Sequence, residues 1–318
     1  MIYLIIFIIL FILELLYFKI ADRYNIIDKP NERSSHTRLT LRGGGVIFYI
    51  GALLYFIWSG FQYPWFFFGL TMMTVVSFAD DVLTLSNKIR LVVHFTSVLL
   101  MAYELQIFEY PWYYLLIAFV FIVGVINAYN FMDGINGITA GYSLSVGALL
   151  LLVNKDIPFI DKDLLLFSML GVLVFAFFNF RQRAKCFAGD VGSVSIAFIL
   201  LFCLGSLILY TNNYIYILFL AVYGIDAVWT IIRRIFRREN IFEAHRSHLY
   251  QFLGNEACVN KLLISVIYTA LQFGIGSLVI YFSTKDSTSQ LMFSLVLLAM
   301  MSLLYLILKT YIIKKYVK

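Results

Sequence analysis

Charge is what this chain has least of. Only 13% of its 318 residues are Asp, Glu, Lys or Arg, against 62% hydrophobic. Soluble domains are about 45–50% apolar. A soluble protein of this length could not hide so much apolar surface, so lipid must be the solvent for much of it. Cysteine is scarce too. Cys186, Cys203 and Cys258 are scattered, with no CxxC and no metal-ligand spacing, and they suit reduced packing residues. No internal repeat, low-complexity linker, P-loop, HExxH zinc site or GxSxG elbow is present. No soluble domain is left over either, because the longest gap between apolar runs is 233–261.

What is there instead is a succession of apolar runs of about 20 residues, the signature of spanning helices. They predict an all-α polytopic membrane protein, one integral domain over 1–318, with eleven spans: 2–21, 43–60, 64–79, 91–108, 111–128, 138–154, 164–180, 194–210, 214–232, 262–283 and 289–309. The first run contains Glu14, follows no basic residue and precedes no small-residue cleavage site. It is expected to be retained as a span rather than cleaved as a signal peptide.

Lys and Arg set the orientation. Alternate connections, 19–42, 80–90, 127–137, 180–193, 233–261 and the C-terminal tail, hold 21 of the 24 basic residues. The others are Lys155, Lys162 and Lys285. The N-terminus is therefore expected outside and the C-terminus in the cytoplasm. The formal charge of +6 then needs no nucleic-acid partner.

The chemistry-bearing residues all fall on the basic, cytoplasmic side. Asp80 and Asp81 are adjacent carboxylates after a run, Pro64 to Ser77, without any charge. Such a pair repels itself and resists dehydration, so something must compensate it. In "NAYNFMDGINGITAG", Asn127, Asn130 and Asp133 recur every third residue, near one face of a helix end, and Gly134 and Gly137 follow. In "CFAGDVGSVS", Asp190 stands between glycines just before a predicted helix, where backbone N–H groups favour anions. "EAHRSHLYQ" carries His245 and His248, and "DKPNERSSHTRLTLRGGG" carries His36, Arg38, Arg42 and three glycines. Membrane-level aspartates suit a hard cation such as Mg²⁺, which takes carboxylates and substrate phosphates. Gly-rich turns, Arg and His suit phosphate oxygens. Together they point to phosphoryl chemistry at a membrane surface.

Plainer roles exist for each. Asp80 and Asp81 could terminate a span, Asp133 could be a turn residue in a DG dipeptide, and Asp190 could be an N-cap. His245 and His248 could belong to a basic loop. Arg233, Arg234, Arg237 and Arg238 fit topology determinants. Phe187 is core or a stacking ring. No role is assigned to Glu14, Glu104 or His94.

Several motifs match a known family in order and on one face. "DDVLTLSNKIR" resembles DDxxxLxxxxR, met by Asp80, Asp81, Leu85 and Arg90. "NAYNFMDGINGI" is similar to NxxNxxDGxxGL, ending in Ile138. "GDVGS", the His-x-x-His of "AHRSH" and "PNERSSHTRLTLRGGG" resemble that family's other cytoplasmic motifs. It is the polyprenyl-phosphate N-acetylhexosamine-1-phosphate transferase family, glycosyltransferase family 4. The resemblance covers residues 28–251. It implies transfer of sugar-1-phosphate from a UDP-N-acetylhexosamine to undecaprenyl phosphate, with release of UMP, in a bacterial inner membrane. Mg²⁺, or Mn²⁺ in its place, is the implied cofactor, and a homodimer is a possible assembly.

By the same analogy Asp190 holds the metal with Asp80 and Asp81 close by, and one of that pair, Asp80 before Asp81, binds or deprotonates the lipid phosphate. Lys88 and Arg90 offset the pair. Asn127, Asn130 and Asp133 orient the diphosphate, and Phe187 stacks on uracil. His245, Arg246 and His248 meet phosphates or sugar, and His36 and Arg42 contribute from the first loop. Two departures stand out. Asn136 replaces an aspartate common in the family, and "HRSH" replaces the three histidines of the peptidoglycan-precursor branch. The chain therefore looks closer to the branch that initiates O-antigen and other cell-surface polysaccharides, using GlcNAc or a 6-deoxy sugar. The rival classes are a transporter or lipid flippase, whose ionisable residues would sit near the midplane, and a noncatalytic scaffold.

Overall fold

The computed structural model describes residues 1–28, 39–83, 85–240 and 246–316. The helices run α1 (Ile2–Arg23), α2 (Val46–Trp58), α3 (Pro64–Leu83), α4 (Asn87–Glu104), α5 (Trp112–Met132), α6 (Ile138–Asp156), α7 (Lys162–Asn179), α8 (Gly189–Thr211), α9 (Ala221–Phe236), the single turn α10 (Leu249–Gln251), α11 (Lys261–Ser283) and α12 (Ser287–Tyr316). All eleven predicted spans are helical. Among the described residues nine helical segments are long and apolar enough to cross a membrane, a 3₁₀ stretch with α9 forming one of them. The other two are α2, with 13 residues, and the more polar α4.

The central helix is α8, apolar all round and buried along most of its length. It packs against α2, α3, α5 and α6. Small residues let its first turns come close to their neighbours. A Cβ on Gly45 would collide with Gly192 Cα, and Ser195 Oγ lies 3.0 Å from Thr74 Oγ1 on α3. Helices that associate in lipid favour such small contacts and shared hydroxyls. At the periphery, α12 buries only Tyr305, Lys309 and Ile312 and exposes Leu291, Met292, Leu295, Met300 and Leu303. Such a surface belongs in hydrocarbon.

The two ends of the bundle differ. One is closed by caps. Glu104 Oε2 accepts from the N–H groups of Trp65 and Phe66 at 2.7 and 3.1 Å, which gives this carboxylate a role in starting α3. Asn154 serves the backbone of Phe159 and Ile160, and Asp161 caps α7. The other end gathers the connections predicted as cytoplasmic. Strands β1 (Ile27–Asp28) and β2 (Thr40–Leu41) pair antiparallel there, Ile27 with Leu41 and Asp28 with Thr40. Phe187 N donates to Leu41 O at 2.8 Å, Gly44 N to Phe187 O at 2.9 Å and Gly45 N to Ala188 O at 3.1 Å. This pairing starts α2 at Val46 rather than at 43, because Gly43–Gly45 serve the turn. Gly43 has φ +82°, where a side chain would be strained.

The Gly45–Gly192 approach gives a test. Gly45→Leu overpacks it and should cost about 1–3 kcal/mol, seen as a lowered thermal midpoint in detergent. Gly124→Leu, at a position with nothing within 4 Å, should leave the midpoint unchanged.

Candidate active site

Adjacent residues on a helix project about 100° apart, so Asp80 and Asp81 at the end of α3 reach different partners. Asp81 turns toward α8. Its Oδ1 accepts from Asp190 N and its Oδ2 from Val191 N, both at 3.0 Å. Those N–H groups lie in the first turn of α8 and have no partner within the helix. A carboxylate there satisfies both and meets the positive end of the helix dipole. Arg42 Nε completes the shell, 2.7 Å from Asp81 Oδ1, and the Asp81 side chain is fully buried.

Asp80 goes the other way. Its Oδ2 lies 2.8 Å from Arg90 Nη1, and its Oδ1 accepts from Leu85 N at 2.7 Å. Asp190 sits between the two arginines, 3.4 Å from Arg42 Nη2 and 3.8 Å from Arg90 Nη2. The result is an alternating chain, Asp80–Arg90–Asp190–Arg42–Asp81, with three carboxylates and two guanidiniums. Asp190 is the second residue of α8, not a residue preceding it. Its side chain is the most open of the three carboxylates, at 20% exposure.

Beside the chain lies the turn after α5. Asn130 Nδ2 donates to Ser193 Oγ on α8 at 3.2 Å. Asp133 Oδ1 accepts from Thr139 Oγ1 at 2.6 Å. Burial pushes the Asp133 carboxyl up to about 7 against the lowering effect of that hydrogen bond, and the charges of Asp190 and Asp81 push it further up. Asn179 was not singled out in the sequence, yet it ties the loops together. Its Oδ1 accepts from Gly137 N at 2.7 Å and its Nδ2 donates to Cys186 O at 2.8 Å. An asparagine ending an apolar helix was the available signal.

The other expected residues divide. Half-buried Phe187 has its backbone fixed between Leu41 and Gly44. Asn127 is exposed and its amide bonds back to Val123 O at 3.0 Å, so it is not drawn into the cluster. Lys88 is exposed, and of the two basic residues expected to offset the pair only Arg90 contacts it. Arg42 supplies the second counter-charge. Arg246 Nη2 lies 3.6 Å from Glu256 Oε1. His248 is buried, with Nδ1 3.2 Å from Asp226 Oδ1, so in this arrangement its ring is not offered to solvent. His36 and His245 lie outside the described residues.

A family profile described as glycosyl transferase family 4 matches residues 63–212, which include Asp80, Asp81, Asn127, Asn130, Asp133 and Asp190. The chain is 27% identical over 290 residues to the probable undecaprenyl-phosphate N-acetylglucosaminyl 1-phosphate transferase of Bacillus subtilis, covering 84% of this chain and 80% of the relative. It is 24% identical over 265 residues to the undecaprenyl-phosphate alpha-N-acetylglucosaminyl 1-phosphate transferase of Thermotoga maritima, covering 80% and 82%. It is 26% identical over 243 residues to the phospho-N-acetylmuramoyl-pentapeptide-transferase of the same organism, covering 66% and 75%. Over this core the chain is similar to glycosyl transferase family 4.

Asn136 stands where the resemblance leads to the expectation of a second aspartate. Its Nδ2 donates to Arg181 O at 2.8 Å and Gln182 O at 3.3 Å. A carboxylate could make neither bond, so in this chain the position is a tie between two loops.

The donor set fits the family's implied divalent cation in one manner only. Among the described residues no three His, Cys, Asp or Glu side chains converge to form a cage. Mg²⁺ does not need one, since it binds through one or two carboxylates with water and substrate phosphates. Asp190, held by two arginines, and Asp80, held by one arginine and one amide, are suited to that. Asp81, committed to two helix amides, is the least so.

These roles predict different losses. Asp81→Asn breaks an ion pair and part of the α8 cap, and should cost about 2–4 kcal/mol of stability. Asp190→Asn should shift the thermal midpoint far less. Equal shifts in a detergent melting experiment would refute the division.

Proposed function

We propose that this protein transfers sugar-1-phosphate from a UDP-N-acetylhexosamine to undecaprenyl phosphate at the cytoplasmic face of a bacterial inner membrane. The reading draws on the printed activities of its relatives, and the observation that carries it is the Asp80–Arg90–Asp190–Arg42–Asp81 chain. Carboxylates for a cation and guanidiniums for phosphate oxygens meet at one point, at helix ends and not at the midplane where a transporter would place them. The distribution of basic residues supports an outside N-terminus, a cytoplasmic C-terminus and eleven crossing helices. The "HRSH" segment favours GlcNAc or a 6-deoxy sugar over MurNAc-pentapeptide, and hence the start of O-antigen or another cell-surface polysaccharide.

In the reaction an oxygen of the lipid phosphate attacks the donor's β-phosphorus. The bond from that phosphorus to the bridging oxygen breaks, and UMP leaves with it. Arg42 and Arg90 pass their N–H groups from carboxylate to phosphate oxygens as the substrates enter, which releases Asp190 and Asp80. Asp80 orients the lipid phosphate or takes its proton. Asn130 and Asp133 place the diphosphate, and Phe187 stacks on the uracil. When bound at Asp190 and Asp80, Mg²⁺ would supply neutralisation of diphosphate charge. Catalysis is then mainly positioning and electrostatics.

The test is UMP release by purified protein with undecaprenyl phosphate and a panel of UDP-sugars. One donor should give lipid-dependent UMP that EDTA abolishes and Mg²⁺ restores. Asp190→Asn and Asp80→Asn should each lose about a hundredfold or more in kcat while remaining folded. Wild-type turnover in folded Asp190→Asn would overturn the site.

A further inference from the structure

Asp226 lies outside that chain of charges, midway along α9, and is 1% exposed. Its Oδ1 receives His248 Nδ1 at 3.2 Å, Leu249 N at 3.0 Å, Tyr305 OH at 3.2 Å and Thr230 Oγ1 at 3.3 Å, and its Oδ2 receives Tyr268 OH at 2.9 Å. Lys309 of α12 donates to Thr230 Oγ1 at 3.0 Å and to the Tyr305 hydroxyl. One carboxylate thus joins α9, α10, α11 and α12. Burying a carboxylate is costly, and apolar packing would often serve stability as well. What such a centre adds is a single arrangement of the parts that it holds.

The part that it holds next to the candidate active site is the segment 246–256. Asp226 anchors the start of α10 through His248 and Leu249. The His248 ring stacks on Tyr250 with centroids 5.9 Å apart, and His248 N donates to Gln251 Oε1 at 3.1 Å. Tyr250 is fully buried against the turn after α5. Its hydroxyl donates to Phe131 O at 2.8 Å, and a Cβ on Gly134 would collide with that hydroxyl. A continuous path therefore runs Asp226–His248–Tyr250–Gly134, ending one residue from Asp133.

We propose that Asp226 is a positioning residue, which through His248 locks segment 246–256 onto the Asp133–Gly134 turn and thereby sets how tightly the nucleotide-sugar donor is held. The link to the donor rests on the function proposed above. The lock itself does not.

Two measurements separate them. Asp226→Asn keeps the side chain's size but turns an amide toward groups that donate. Hydrogen exchange at the amides of 246–256 should rise about tenfold or more, while Gly137 and Asn179 stay protected. The donor KM should rise about tenfold, with the undecaprenyl phosphate KM within about twofold. His248→Gln should act in the same direction, and the double variant should be no worse than the more affected single one, since both remove one linkage. Tyr55→Phe, which removes the hydroxyl's contacts with Gln62 and Asp161 at the far end of the bundle, controls for general loosening. Unchanged exchange in 246–256, an equal effect of Tyr55→Phe, or additive losses with both KM values raised would overturn the proposal. Should Asp226→Asn not fold, Tyr250→Phe carries the same expectation. If the wild type releases no UMP from any donor, the function fails and the exchange experiment still decides the lock.

Discussion

The Asp81 carboxylate at the head of α8 resolves two physical problems at once. A helix starting inside a membrane protein exposes N–H groups that lipid cannot satisfy. A carboxylate beside another carboxylate needs positive partners. At the end of α3 each supplies the other's need, and Arg42 adds the charge that a half-unit helix dipole cannot. Because α8 is the helix around which α2, α3, α5 and α6 pack, the same contact fixes where Asp190 stands relative to Asp80. The remaining contacts of the site depend on that placement.

The alternation of carboxylates and guanidiniums has a consequence for substrate entry. Arginine presents a planar fork whose donors can serve two acceptors together. Arg90 reaches Asp80 and Asp190, and Arg42 reaches Asp81 and Asp190. Asp190 is therefore held from both sides, among the described residues without backbone donors, at the longest distances in the chain. A phosphate offers guanidinium the same geometry as a carboxylate. On the function proposed above, a substrate phosphate would replace Asp190 on either arginine with little reorganisation and so free a carboxylate for a cation. Lysines at these positions would each bind one partner and could not link the chain.

Much of this was legible in the sequence, and the limits are physical. Apolar runs gave the helices, because lipid imposes length and composition directly. The clustering of Asp80, Asp81, Asp133 and Asp190 at one end was legible because basic residues mark alternate connections. Helix ends were less so: α8 begins at Gly189 and not at 194, since Asp81 caps it from 109 residues away. The pairing of Arg42 with Asp81, the loop tie made by Asn179 and the end-capping role of Glu104 are long-range contacts that no local pattern encodes. Asp226 could have been flagged, since a carboxylate inside an apolar run is expensive. Its partners, drawn from four helices, could not have been.

The two ends of the bundle supply a criterion for sorting its buried and half-buried polar groups. At the far end Glu104 and Asn154 spend their oxygens on backbone N–H groups near chain turns, and secondary structure alone accounts for them, while Asp161 divides its own between Asp163 N and the Tyr55 hydroxyl. At the site end Asp81 passes the same test, since two of its three partners are helix amides. Asp80 is intermediate, with one amide and one arginine. Asp190 fails it, because among the described residues the partners of its carboxylate are two arginines. Asp226 fails it differently, taking one amide among five donors, the rest from side chains on separate elements. A carboxylate that the backbone does not require is one that the fold could have replaced by an apolar group. On the function proposed above, such a carboxylate is explained by what it binds or what it holds in place: Asp190 by the chemistry, and Asp226 by the segment that it ties to the turn after α5.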